Sequence, residues 1–304
     1  MADCESYLWQ VVRSVEPTQT QKDGASRSQY YLRDLLNSGN MGQRIVTSYL
    51  SGSYSRDTAV ASMDDVDIIF GINPSFWPTS SGWPAPTTIL DSFANAIRYR
   101  YPISSVFGQR RSVRLQLNHL DIDVVPAIQN PTDQNVIWIP DRHAAGWIKS
   151  SPKLHSANST RVNLAQSAKF KPLVKLLKYW NNGLPSTAHF KSFAIETMAV
   201  RIFDAFVFGT LQDGLHFFFD YVAFASGNSA TFTWKDSYGM SLRWLNCVVP
   251  DAAGTGTNVI DGLEENKRLR FVEHAVRSRN KIVEAKNSAS VDVACRRAAE
   301  ALKL

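Results

Sequence analysis

The chain has 304 residues, 44% hydrophobic and 20% charged, enough for a sizeable core and, because single cores stop growing at about 250–300 residues, for two packed lobes. That composition, with no long block of like charge, excludes a disordered or low-complexity protein. Its 33 basic against 27 acidic residues leave a net charge of +6, a balance that suits polyanionic partners such as nucleotides but also serves solubility alone.

The first forty residues read as helical: SYLWQVVRSV and SQYYLRDLL carry apolar residues three and four apart, and Pro17 and Gly24 between them mark a break or a helix start. RIVTSYL then reads as a strand running into Gly52-Ser53, followed by a helix-like stretch. DDVDIIFGI is a second strand, with Asp65, Asp67 and Ile69 on one face and Val66, Ile68 and Phe70 on the other. NPSFWPTSSGWPAPTT is loop by its proline and serine content, and ILDSFANAIRYRY restores helical spacing. In SVRLQLNHLDIDVVPAI the apolar phase changes at Asn118-His119, which predicts a tight turn or bulge, with Asp121 and Asp123 opposite Leu120 and Ile122. From about residue 160 the pattern is mainly helical, in VNLAQSAKFKPLVKLLKYW, SFAIETMAVRIFDAF and EENKRLRFVEHAVRSRNKIVEAK. The expectation is an α+β protein in two parts, 1–160 and 161–304, with a ligand site in the cleft between them.

Cys4, Cys247 and Cys295 are odd in number, far apart and without metal-ligand spacing, which fits a reducing compartment. The opening Met-Ala-Asp-Cys-Glu lacks a basic-then-apolar signal design, and HFFFDYVAFA is short and broken by Asp220. A soluble, cytoplasmic protein without a membrane partner is expected.

The acidic strands carry the chemistry. An aspartate on a partly buried strand must be paired, hydrogen-bonded or bound to a cation. Asp65 and Asp67 share a face and repel, and a divalent cation removes that repulsion. Mg²⁺ prefers carboxylate oxygens and completes its shell with water and substrate phosphates. Two strands bearing Asp65, Asp67 and Asp123 therefore suit two ions and a displacement at phosphorus. Beside them, Gly52 lets backbone approach an anion, Ser53 offers a hydroxyl, and Arg56 and Thr58 lie just inside the turn. Asp64 reads as a loop residue, and Asp121 as a hydrogen-bond partner or a rival ligand. His119, His143, His155 and His189 lack ligand spacing and read as surface or hydrogen-bonding residues. Arg110, Arg111 and Arg114 are consistent either with a phosphate or nucleic-acid contact or with a solvated strand edge.

In their order and spacing, GSYSRDT, DVDIIF and DVVPAI resemble the DNA polymerase β-like nucleotidyltransferases, and within them the branch of cyclic-GMP-AMP synthase, oligoadenylate synthase and the bacterial cyclic-oligonucleotide synthases of anti-phage signalling. LVKLLKYWNN and HFKSFAIETMAV extend the resemblance to about residue 210. It implies a mixed sheet flanked by helices, a C-terminal helical lobe, and Asp65, Asp67 and Asp123 as the catalytic, metal-binding triad. It also implies donor-triphosphate contacts at Lys178 and Ser192, joining Gly52, Ser53 and Arg56. A base contact is implied at Asp251, although Pro250 and Asp251 stand in reversed order relative to the family. The cysteine and histidine zinc insertion of the animal DNA sensor is absent, so nucleic acid is not a required partner.

The activity so implied is Mg²⁺-dependent nucleotidyl transfer from ATP or other ribonucleoside triphosphates, with two ions and Mn²⁺ as a substitute, Asp123 helping to deprotonate the acceptor hydroxyl, and a cyclic di- or trinucleotide as product. A regulatory protein partner is a further expectation. The alternatives are the same chemistry on RNA, a small molecule or a protein, and a catalytically silent nucleotide or nucleic-acid binder.

Overall fold

The computed structural model describes residues 4–39, 41–61, 65–77, 79, 82–225, 233–237, 241–242 and 248–303; Asp64 and Cys247 lie outside the described residues. The chain packs as two compact units, Pro17–Ser156 and Met1–Glu16 with Ala157–Leu304.

In the first unit, α2 (Gln19–Ser38) starts where Pro17 ends the preceding helix. Thr18 and Gln21 form a capping box that satisfies donors the helix itself cannot. Gly24 is thus an interior residue of α2, packed toward the ring of His119, and not its start. A mixed sheet follows, of β1 (Ile45–Ser51), β2 (Asp65–Ile72), β3 (Ser105–Gly108), β4 (Val113–Gln116), β5 (Asp121–Gln129), β6 (Ile137–Asp141) and β7 (Gly146–Ser150). Its order is β1-β2-β5-β4-β3, with β6 on the far end of β5 and β7 on β6. Only β2 and β5 pair in parallel among these strands. The expected turn at Asn118-His119 joins β4 to β5 and is closed by Leu117 N–H donating to the Leu120 carbonyl. One face of the sheet carries Val66, Ile68, Phe70, Ile122 and Val124. Leu32 and Leu36 of α2 cover it, together with Ile89, Leu90, Phe93 and Ile97 of α4 (Pro86–Arg100). The helix-like stretch after Ser51 is a single turn, α3 (Gly52–Ser55), and Asp57 beyond it has φ 56°.

The second unit gathers α1 (Glu5–Val15), α6 (Phe170–Asn182), α7 (Ser192–Phe203), α8 (Leu211–Ala225), α9 (Glu265–Lys286) and α10 (Val291–Leu302). α5 (Pro152–Ala165) begins eight residues before the helical stretch anticipated near 160. α1 belongs here because its buried stripe, Leu8 and Val12, packs into one cluster with Phe170, Leu176, Leu177 and Trp180. Lys175 of α6 also reaches Glu16, at 2.8 Å. A boundary near 160 alone assigns α1 to the sheet unit; the packing joins it to the helices. Trp180 lies at the centre, edge-on to Phe219, and donates to Ser278 Oγ, which in turn donates to the Ala301 carbonyl. No helix among the described residues is long and apolar enough to cross a membrane.

Candidate active site

The parallel pairing of β2 with β5 sets Asp65 beside Asp121 and Asp67 beside Asp123. Side chains of paired residues stand on the same face, so alternation along each strand puts four carboxylates in two adjacent rows. The antiparallel β4 brings Arg114 opposite Asp123. Its guanidinium forks onto both oxygens of Asp123, at 2.9 and 2.6 Å, and reaches Asp121 and Asp65, each at 3.2 Å. The hydrogen bond to Asp123 holds Arg114 above its usual range, against burial and together with the charges of Asp123, Asp65 and Asp121.

Asp67 is treated differently. Burial, then the charges of Asp65 and Asp123, outweigh the nearby Arg56 and Arg114 and push its carboxyl up to about 7. Across β1 its neighbour is Ser51, so the chain turns at Gly52 directly against it. Gly52 has φ +69°, and a Cβ there would lie 1.8 Å from Asp67 Oδ2. Glycine is required twice at this position, by the backbone conformation and by the approach. Arg56 follows the turn and is buried.

These features suit a hard divalent cation. The donor set is carboxylate oxygen, Asp67 holds negative charge at a cost that a cation would offset, and the backbone beside it leaves a space that a side chain would fill. No three of the described His, Cys, Asp and Glu side chains are disposed as ligands of one ion; Arg114 holds Asp123, Asp121 and Asp65 instead.

In the helical unit, Lys178 is buried on α6 and pairs with the equally buried Glu196 of α7 at 3.1 Å. Ser192 is the first residue of α7, four positions before Glu196 and so on the same face. The loop leading to it is held by Asn181, which accepts from Phe190 N–H at 2.9 Å and donates to its carbonyl at 2.8 Å. Beside the start of α7, a cavity of about 600 Å³ lined by Lys191 and Ala194 among others includes neither Lys178 nor Ser192. Asp251 is buried, and its carboxylate accepts from Ala253 N–H and from Thr255 Oγ1, so it caps its own loop.

The acids expected from sequence thus come together with Gly52 and Arg56 in one unit, while in the other Lys178 meets Glu196, one turn along α7 from Ser192. Two residues escaped that reading. Arg114 reads in sequence like its neighbours Arg110 and Arg111, as a phosphate contact or a strand edge, but those two bind Asp141 instead. Glu196 is the one acid in the apolar run SFAIETMAV, a signal that a buried cation lies near it.

The mixed sheet with flanking helices and a C-terminal helical part is the fold of the CD-NTases. Escherichia coli MS115-1 CdnC solved with ATP superimposes with a TM-score of 0.75 at 18% identity, over 99% of this chain and 98% of that one. The Bradyrhizobium diazoefficiens CD-NTase CdnG with GTP gives 0.73 at 15% identity, over 99% and 98%. The chain belongs to the Second Messenger Oligonucleotide or Dinucleotide Synthetase family, whose domain matches residues 3–163. A curated cyclic AMP-AMP-AMP synthase from Acinetobacter sp. is 31% identical over 201 residues, 63% of this chain and 56% of that protein. Another, from Escherichia coli, is 28% identical over 184 residues, 57% and 55%. The matched part spans about half the length of these curated relatives.

Proposed function

We propose that the protein is a nucleotidyltransferase that joins ribonucleoside triphosphates into a cyclic oligonucleotide second messenger and releases pyrophosphate. The observation that carries this reading is the pair of acidic rows on β2 and β5 against the Gly52 turn, in a chain of this family. Asp65, Asp67 and Asp123 are the residues that hold divalent cations, Mg²⁺ with Mn²⁺ as substitute. When bound, such ions neutralise triphosphate charge and lower the pKa of an attacking hydroxyl. Gly52, Ser53 and Arg56 hold phosphate from the sheet unit. Lys178 and Ser192 are the nucleotide-binding residues of the helical unit, with Glu196 orienting the Lys178 ammonium. Asp251 contributes through its loop, since its carboxylate is already engaged by Ala253 and Thr255.

The names of the curated relatives favour ATP as substrate and a cyclic trinucleotide of adenine as product. CdnC has also been solved in a complex with a HORMA protein, which favours a regulatory partner of that kind here, in a cytoplasmic defence system. Incubating the protein with all four ribonucleoside triphosphates and Mg²⁺ or Mn²⁺, followed by mass spectrometry, tests the reading. The expected result is a phosphatase-resistant small product. Label appearing only on added RNA or protein would reject cyclisation in favour of a macromolecular acceptor.

Gly52→Ala is expected to lower product formation about a hundredfold while costing about 1–2 kcal/mol of stability, the strain of a left-handed non-glycine residue. The new methyl drives the Asp67 carboxylate aside, so turnover suffers more than folding does. Initial rates measured beside thermal melts separate the two effects, and an unchanged rate would mean that Asp67 tolerates displacement.

A further inference from the structure

Arg114 does what a metal ion is expected to do in this site, and with the same oxygens. Four hydrogen bonds run from its guanidinium to three carboxylates, two of them to Asp123. Mg²⁺ binds carboxylate oxygen at about 2.0–2.1 Å, so an ion on Asp123 or Asp65 would stand close to a positive guanidinium that already holds both. Cation and guanidinium repel, and the side chain is only 23% exposed, so solvent screens that repulsion weakly. The two cannot share Asp123 at full strength.

Asp121 gives the guanidinium an alternative. It lies beside Asp65 in the register and already accepts from Arg114 Nη1, yet it is outside the triad assigned to metal. We propose that Arg114 is a cation surrogate that closes the metal-free site, that a divalent ion must displace it from Asp123 and Asp65, and that Asp121 retains it once displaced. The inference rests on the metal reading above. It accounts for a fourth acid on this face that the metal assignment leaves without a role. Metal affinity is then set by competition within the protein, and the site loads only when the cation is abundant or is brought in with a triphosphate.

The test is Mn²⁺ binding to the full chain without nucleotide, followed by electron paramagnetic resonance or calorimetry, in wild type, Arg114→Ala, Arg114→Lys and Asp121→Asn. Arg114→Ala should bind Mn²⁺ about tenfold more tightly or better, equivalent to about 1.4 kcal/mol, and Arg114→Lys should fall between it and wild type because an ammonium cannot fork onto Asp123. Asp121→Asn should bind severalfold more weakly, since the displaced guanidinium loses its resting place. Should Arg114→Ala be too unstable to isolate, the opposite shifts of Arg114→Lys and Asp121→Asn carry the same information. Equal or weaker binding by the Arg114 variants, with wild type binding normally, overturns the surrogate role and leaves the metal site standing. If neither wild type nor the Arg114 variants bind Mn²⁺ even with ATP present, the metal reading falls and the surrogate role falls with it.

Discussion

Asp67→Asn is expected to lower product formation about a thousandfold, from the several kcal/mol of charge stabilisation that a bound ion supplies, while making the metal-free protein more stable at pH 8. The first effect follows from losing a carboxylate at the centre of the acidic face. The second comes from the same group seen without its cation. Its carboxyl is pushed up to about 7 by burial, then by Asp65 and Asp123, from an ordinary 3.8. Between pH 4 and 7 the folded chain therefore keeps a proton that the unfolded chain has released, and folding loses stability as pH rises through that window. Below pH 4 both states are protonated and nothing is lost.

An asparagine carries no charge at any pH, so the variant should match wild type near pH 4 and exceed it at pH 8. At about 1.4 kcal/mol per pKa unit, the rise from 3.8 to about 7 makes the gain on the order of 4 kcal/mol, or roughly 8–15 °C in melting temperature. Adding Mg²⁺ should close the gap from the other side, by stabilising wild type and not the variant. Melts at pH 4, 6 and 8, with and without Mg²⁺, decide the matter. Equal melting temperatures at pH 8 would mean that Asp67 is ionised without cost, and undiminished turnover would remove it from the catalytic set.

That acid was visible in the sequence because alternation is a local property. The run Asp65-Val66-Asp67-Ile68 divides two faces wherever the strand lies, and the phase change at Asn118-His119 divides β4 from β5 in the same way. The pairing that makes the site is not local. Of the two readings of Asn118-His119, only the tight turn pairs β4 with β5 and sets Arg114 opposite Asp123; a bulge does not, and the parallel partner β2 that adds Asp65 to the guanidinium's reach has no local signal at all. β6 lacks a local signal for a related reason: Ile137–Asp141 is short and contains Pro140, and its role depends on pairing with the last residues of β5 and with β7. α1 is legible as a helix but its unit is not: an amphipathic stripe states that a partner exists and not which one.

Glu196→Ala is expected to cost about 3–5 kcal/mol, the usual penalty for removing one member of a buried ion pair. Lys178 is 3% exposed and Glu196 4%, so water does little to replace the lost carboxylate, and the ammonium remains in a helix otherwise packed with Leu176, Leu177 and Trp180. The pair itself need not be stabilising, since two charges were taken out of water to make it. Replacing both, as Lys178→Met with Glu196→Leu, should therefore return most of the lost stability while product formation stays low, because the triphosphate would lose its ammonium. Stability and function part company at this pair, and a double-mutant cycle on melting and on binding of a nonhydrolysable ATP analogue reads both. A pair kept for folding alone would show the reverse: the double variant would bind nucleotide as wild type does. If Glu196→Ala by itself cost less than about 1 kcal/mol, the range of a solvated surface pair, Lys178 would have to be reaching water, and Glu196 could not be what orients it.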